Sequence, residues 1–403
     1  MKILIADKFE QSGIDRLRGL ASTLEVDAGL KGDALVDKMR GFDPNVLVVR
    51  STKVPKDVID AGKSLQMILR AGSGVDNIDV PSASERGVSV ANCPGMNAVA
   101  VAELTLGLIL ALDRHIPDNV IDFRKGEWSK KKYGAAALGL KGRTLGIIGA
   151  GQIGTEVARR AVACEMKVIY THLGRSRGLV DFPSCRRTEM EELLREADVV
   201  TIHIPGGDST KALLDAKNLA LLKPTAFLIN TSRASVIDEN ALANLLKTGK
   251  LRGAAIDVFN NEPAGADGEP IDSPLRDVPN LYVTHHIGAS TQQAQEAVAD
   301  EAVRIVAEFK ATNRVLNCVN LNESPPQSLL VVKLRNKPGG LAHVFQVIST
   351  AGINVEEMDH VIFDGGKTAC AHIRVTPSPD AALVEKIRTG HDNVLGVELI
   401  ASA

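Results

Sequence analysis

Cysteine is sparse and unpaired here: five residues, at positions 93, 164, 185, 318 and 370, with no CxxC pair among them. That scatter excludes a disulfide framework and predicts reduced thiols. The histidines at 115, 172, 203, 343, 360, 372 and 391 show no mutual metal-ligand spacing, so no metal is expected. A long basic tract is also missing and net charge is only −2, so nothing draws the chain towards nucleic acid or a membrane surface. No apolar run reaches a membrane-spanning length, and Met1–Asp7 reads as a strand rather than a leader, so a cytoplasmic protein is expected. What is present is 44% hydrophobic residues over 403 positions, enough for two to three domains with large cores.

Strand-like runs (Lys2–Ile5, Val46–Val49, Met67–Arg70 and 88–91) alternate with helical ones (Gln11–Leu20, 31–40 and Lys56–Ala61), which predicts a parallel sheet. A long apolar helix, 98–112, follows, then a charged stretch, 122–132, that carries Trp128. A second series has six strand-like runs, at 144–149, 167–170, Val199–Ile202, 226–230, 254–257 and Leu281–Val283, with helical segments between them. The loop 260–278 is too long for a simple connector, and the helix expected at 291–309 can return the chain to the first domain. The stretch 320–327, with Pro325 and Pro326, reads as a linker. Beyond it the order βαββαβ predicts a ferredoxin-like unit. The expected fold is therefore α/β: two doubly wound parallel-sheet domains, flavodoxin-like (1–97 with 287–320) and Rossmann (98–286), plus a small domain at 327–403.

The run Leu145-Gly-Ile-Ile-Gly-Ala-Gly-Gln-Ile-Gly154 leads from an apolar stretch into a helical pattern. Its glycines suit a dinucleotide: Gly149 permits the tight turn, Gly151 lets backbone approach a pyrophosphate, and Gly154 lets helix and strand pack closely. On spacing alone, a glycine-bearing turn that binds nothing is the alternative. About twenty residues on, an acidic residue would bond the adenosine ribose 2′-hydroxyl, but the chain has His172, followed by Arg175 and Arg177. Without that carboxylate nothing repels a 2′-phosphate, so NADP or dual use stands beside NAD.

Seven further stretches carry a resemblance: Val49-Arg-Ser-Thr52, Arg70-Ala-Gly-Ser-Gly-Val-Asp-Asn-Ile78, Asn92-Cys-Pro-Gly-Met-Asn97, Ala102-Glu-Leu104, Asn230-Thr-Ser-Arg233, Asp257-Val-Phe-Asn-Asn-Glu-Pro263 and His286-Ile-Gly-Ala-Ser-Thr291. Together with the glycine run they resemble the D-isomer-specific 2-hydroxyacid dehydrogenases over essentially the whole chain, and among them the members that oxidise 3-phosphoglycerate for serine biosynthesis. The resemblance implies Arg233, Glu262 and His286 as catalytic residues. The chemistry suits these types. A histidine titrating near neutrality can take the hydroxyl proton as hydride leaves carbon, a carboxylate fixes its tautomer, and arginine offers a planar fork to the substrate carboxylate. His285, where the family usually has proline, is the rival to His286.

For the cofactor, the resemblance implies Ser73, Gln152 and Ile153 with the three glycines, His172, Ile204, Thr231, Asp257 towards the nicotinamide amide, and Gly288. For the substrate it implies Arg50 and Ser51 at a phosphate, Ser73 and Gly74 at a carboxylate, and Arg233. The cluster Lys130 to Lys132 is either a further substrate contact across a boundary or a solvated charge run. The last unit resembles an ACT domain through Asn336-Lys-Pro-Gly-Gly-Leu341 and Gly352-Ile-Asn-Val355. This implies L-serine or another amino acid at Asn336 and Asn354, although Leu334 stands where the serine-inhibited pattern has histidine. A homo-dimer or homo-tetramer is expected. The alternatives are a glyoxylate or hydroxypyruvate reductase of the same family and a nicotinamide-sensing corepressor-like scaffold.

Overall fold

The computed structural model describes residues 1–171, 179, 182, 184–263, 268–321 and 328–401. The chain divides into two compact units, Met1–Asn320 and Leu321–Ala403.

The first unit begins with a five-stranded parallel sheet of β1 (Lys2–Ile5), β2 (Thr23–Val26), β3 (Val46–Val49), β4 (Met67–Arg70) and β5 (Ser89–Asn92), in the order β2-β1-β3-β4-β5. β3 and β4 are short runs of Val, Leu, Ile and Met buried on both faces, as a helix-covered parallel sheet requires. β2 has no counterpart among the strand-like runs of the sequence: it is an edge strand whose Thr23 and Val26 are exposed, so no apolar run announces it. One face of the sheet packs on helices Asp33–Phe42 and Lys56–Ala61 through Leu35, Met39, Val58 and Ile59. The other packs on Gln11–Leu20 and on helix Gln292–Thr312, which brings Ala302, Ile305, Val306 and Phe309 back to this sheet.

The second sheet has seven strands: β6 (Thr144–Ile148), β7 (Lys167–Thr171), β8 (Arg186–Arg187), β9 (Val199–Ile202), β10 (Phe227–Asn230), β11 (Gly253–Ile256) and β12 (Leu281–Val283), in the order β12-β11-β10-β9-β6-β7-β8. The expectation of six strands is corrected by β8, a two-residue exposed edge of arginines that hydrophobic patterning cannot reveal. The charged stretch around 122–132 holds parts of two helices, Ile116–Arg124 and Lys130–Ala136. Both sheets are doubly wound, with strand order reversing between β1 and β3 and between β6 and β9. Ligands in such folds bind in the crevice beyond the carboxyl ends of the strands at these reversals.

The second unit is a four-stranded antiparallel sheet of β13 (Ser328–Arg335), β14 (Asn354–Ile362), β15 (Thr368–Thr376) and β16 (Val394–Ala401), in the order β14-β15-β13-β16. Helices Gly340–Thr350 and Ala381–Thr389 complete the βαββαβ order and close a core of Leu330, Val332, Leu334, Val344, Ile348, Ile373 and Ile387. No helix among the described residues is long and apolar enough to cross a membrane.

Candidate active site

Asp257 directly follows β11 and is 1% exposed. Its carboxylate accepts from the Thr284 hydroxyl (2.5 Å) and from the N–H groups of Ile287 and Gly288 (3.0 Å each), and its carbonyl accepts from His286 N–H (2.8 Å). These bonds hold His286 in the left-handed region, φ 52°, which a non-glycine residue occupies only when its surroundings enforce it. His286 Nδ1 then lies 2.7 Å from Glu262 Oε2. Glu262 is fixed from its other oxygen, Oε1, by Phe259 N–H at 2.8 Å. Burial pushes the Glu262 carboxyl up, but the bonds from His286 and Phe259 and the charge of Arg233 outweigh burial and hold it below the usual glutamate range. His285 is exposed and Glu262 engages its neighbour, so of the two candidate histidines only His286 carries a carboxylate.

Arg233 is aimed by a turn just beyond β10. Asn230 Oδ1 accepts from Ser232 N–H (3.0 Å) and its hydroxyl (2.9 Å), while Asn230 Nδ2 donates to the Arg233 carbonyl (2.9 Å). The guanidinium grips Asp76 of the first sheet's crevice through Nε (2.9 Å) and Nη2 (2.8 Å), and Nη1 donates to Ser232 O (2.8 Å). Of five donor hydrogens this leaves one on Nη1 and one on Nη2 for an incoming carboxylate.

Two further guanidiniums converge here. Arg70, at the end of β4, folds over Gly72, where an added Cβ would fall 1.5 Å from its Nη1. Its Nε is buried with no hydrogen-bond partner among the described residues, and burial followed by the charges of Arg233 and Arg50 pushes the guanidinium down to about 10. Gly74 makes the same room for Arg233, whose Nη2 would lie 2.0 Å from a Cβ. In the sequence Arg70 stands out only as part of a motif, yet a signal for it is there: an arginine at a strand's carboxyl end, before a glycine-rich turn. The Ser73 hydroxyl donates to Asn97 Oδ1 (2.8 Å). Arg50 follows β3, and its Nη1 donates to Gln295 Oε1. Ser51, expected at a substrate phosphate, gives its N–H and its hydroxyl to Asp7, at 3.1 and 3.0 Å.

The glycine turn has the geometry its spacing predicts. Gly149 has φ 102°, and a Cβ there would strike the His203 carbonyl oxygen at 2.3 Å; one on Gly154 would strike Gly149 O at 2.1 Å. Among the described residues a Cβ on Gly151 would meet nothing within 4 Å and no side chain caps helix Gln152–Ala163, which leaves its first N–H groups suited to a pyrophosphate. Gln152 reaches across to Gly95 of the first sheet's loops, and Ile204 is buried beside the turn at the end of β9. His203 is neutral, with burial pulling it to about 3. Thr231 is buried and its hydroxyl shares a hydrogen bond with that of Thr105 (3.1 Å), and the Gly288 N–H donates to Asp257 (3.0 Å). The residues fit a dinucleotide at its phosphates. His172, Arg175 and Arg177 lie outside the described residues.

In the second unit, taken by itself, Asn336 Nδ2 donates to Gly366 O (2.9 Å) and Asn354 Nδ2 to Glu356 Oε1 (3.1 Å), both exposed. Leu334 points into the core at 2% exposure. Among the described residues no group of three or more His, Cys, Asp or Glu converges as a metal site requires.

Glu262 titrates lower folded than unfolded, so its pair with His286 adds stability that is present above the ordinary glutamate range and is lost as pH falls through its folded value. Glu262→Gln is expected to lower Tm at neutral pH by a margin that shrinks as pH falls below the ordinary glutamate range and is gone once the paired carboxylate is itself protonated. Thermal melts across this range check it; a margin independent of pH would contradict the pairing.

Residues 106–288 match the family described as D-isomer specific 2-hydroxyacid dehydrogenase, NAD binding domain. The D-3-phosphoglycerate dehydrogenase of Methanocaldococcus jannaschii is 38% identical over 353 residues, 83% of this chain and 64% of that protein. The chain spans less than two thirds of the length of three such relatives. The Haemophilus influenzae D-3-phosphoglycerate dehydrogenase is 35% identical over 88% of this chain and 87% of its own length. A Thermotoga maritima hydroxypyruvate reductase is 42% identical over 64% of this chain and 82% of its own. Among solved structures, a protein of Thermus thermophilus superposes with a TM-score of 0.70 at 33% identity, over 79% of this chain and all of that one. The chain belongs to the D-isomer-specific 2-hydroxyacid dehydrogenase family.

Proposed function

We propose that the chain is a D-3-phosphoglycerate dehydrogenase, oxidising 3-phospho-D-glycerate to 3-phosphohydroxypyruvate with NAD. The observation that carries this reading is the set of three guanidiniums, Arg50, Arg70 and Arg233, close enough for the first and third to depress Arg70, beside the His286–Glu262 pair. A substrate with an anion at each end suits such a set, whereas a single carboxylate needs only Arg233. NAD supplies the acceptor for the hydride leaving C2. The two free hydrogens of Arg233 hold the substrate carboxylate, with the Ser73 and Gly74 N–H groups as its further donors in this reading. His286 Nε2 takes the hydroxyl proton as the carbonyl forms, and Glu262 on Nδ1 stabilises the imidazolium produced. In the reverse direction the same nitrogen returns the proton.

Reduction of unphosphorylated hydroxypyruvate or glyoxylate is the second reading, favoured by the Thermotoga maritima relative. Arg50→Ala and Arg70→Ala separate the two. Each is expected to lower kcat/KM for 3-phosphoglycerate by tenfold or more, on the order of 1.4 kcal/mol, with a smaller effect on D-glycerate. Equal losses on both substrates would favour the second reading.

His172 in place of an acidic residue leaves NADP or dual use as an alternative to NAD. Initial rates with both cofactors decide it: the NAD reading expects a strong NAD preference, and equal rates would replace it by dual use.

The reading includes a homo-dimer or homo-tetramer. It is supported by helix Ile116–Arg124, whose Asp122 bonds inward to Tyr133 (2.6 Å) while Ile116, Val120, Ile121 and Phe123 are exposed. At the ACT-like unit the proposed effector is L-serine, contacting Asn336 and Asn354. Millimolar L-serine is expected to inhibit the wild type and to inhibit an Asn336→Ala variant less; no inhibition would leave that unit a structural role.

A further inference from the structure

At the strand-order reversal of the first sheet, where β1 and β3 lie side by side, the chain has already filled its own anion site. Asp7, one residue past the last buried alanine after β1, is 9% exposed. Its Oδ2 accepts from three successive backbone N–H groups, Arg50 (2.6 Å), Ser51 (3.1 Å) and Thr52 (3.0 Å), and its Oδ1 from the Ser51 hydroxyl (3.0 Å). The Thr52 hydroxyl donates to Ala6 O (3.2 Å), closing the same turn onto β1. Three consecutive N–H groups converging on one oxygen form a nest of the kind that binds phosphate oxygens in other folds. Here an internal carboxylate occupies it. A substrate phosphate approaching this crevice therefore finds these N–H groups and the Ser51 hydroxyl already engaged, and the Arg50 guanidinium is a cationic group carried by the same turn.

That guanidinium is held as well. Its Nη1 donates to Gln295 Oε1 on helix Gln292–Thr312, which starts directly after the loop carrying His286. Arg50 is thus pinned at both ends, its backbone by Asp7 and its fork by Gln295. A long arginine side chain otherwise loses rotamer freedom when it engages an anion, and fixing it beforehand removes much of that cost.

We propose that Asp7 and Gln295 are positioning residues that aim Arg50 at the phosphate-bearing end of the substrate, and that Ser51 belongs to the Asp7 nest rather than to the substrate. This rests on the reading of a phosphorylated substrate given above. Neither residue touches the reacting atoms. Their effect falls on discrimination between phosphorylated and unphosphorylated substrates.

The test is the ratio of kcat/KM for 3-phosphoglycerate to that for D-glycerate, in the full-length protein, for Arg50→Ala, Gln295→Met and Asp7→Asn. Gln295→Met keeps length and helix propensity but removes the acceptor, and Asp7→Asn keeps shape but removes the charge. Both are expected to lower the ratio about tenfold through KM for the phosphorylated substrate, with kcat at saturation changed far less. In Asp7→Ala, added formate is expected to refill the nest and raise the ratio again, which a merely structural loss would not permit. If Arg50→Ala collapses the ratio while Gln295→Met leaves it unchanged, the positioning role is wrong and the phosphate reading stands. If Arg50→Ala itself leaves the ratio unchanged, the phosphate reading fails and the positioning role falls with it. Should Asp7→Asn not fold, Gln295→Met alone decides.

Discussion

A buried carboxylate without a salt bridge has to be met by hydrogen-bond donors, and at Asp257 that demand sets the geometry of the acid/base loop. Thr284, Ile287 and Gly288 supply the donors to its oxygens, and His286 N–H goes to its carbonyl. Losing one donor would leave part of a charge unsatisfied in the interior, a cost of about 1–3 kcal/mol. The loop therefore has one favourable path, which turns His286 through a left-handed conformation and brings Nδ1 to Glu262. The acid/base pair is a consequence of how a neighbouring carboxylate is satisfied. Asp257, expected to face the nicotinamide amide, is engaged with the loop through both oxygens.

The same logic recurs across the crevice. Asn230 shapes the turn that presents Arg233, Asp76 receives its fork, and Asp7 organises the turn that presents Arg50. Arg50, Arg233 and Asp257 each sit just past the carboxyl end of a parallel strand, where the backbone leaves the sheet and its polar groups need new partners. Short polar side chains supply those partners locally and so decide where the functional groups point. The Arg233–Asp76 pair also joins the crevices of the two sheets of the first unit, so neither half of the site is defined without the other.

Much of this could be read from the chain alone. Gly149, Gly151 and Gly154 were legible because a tight turn, a close approach and helix–strand packing are local demands with a local spacing. Arg233, Glu262 and His286 were legible only as members of motifs, since nothing in their spacing says that they meet. The roles of Asp76, Asp7 and Gln295 are not legible because their partners lie far along the chain: Arg50 and Gln295 are 245 residues apart. The Ser51–Asp7 bond is hidden in the sequence for the same reason, the carboxylate lying 44 residues earlier. The strands β2 and β8 escaped because edge strands need no apolar pattern.

Gly72 and Gly74 lie on either side of Ser73, and each stands where a side chain would overlap a guanidinium, Arg70 in one case and Arg233 in the other. These glycines act as a mould for positive charge. The cationic character of the crevice is written partly in residues that carry no charge, and a methyl group at either position would act electrostatically, by moving an arginine, although the change itself is neutral.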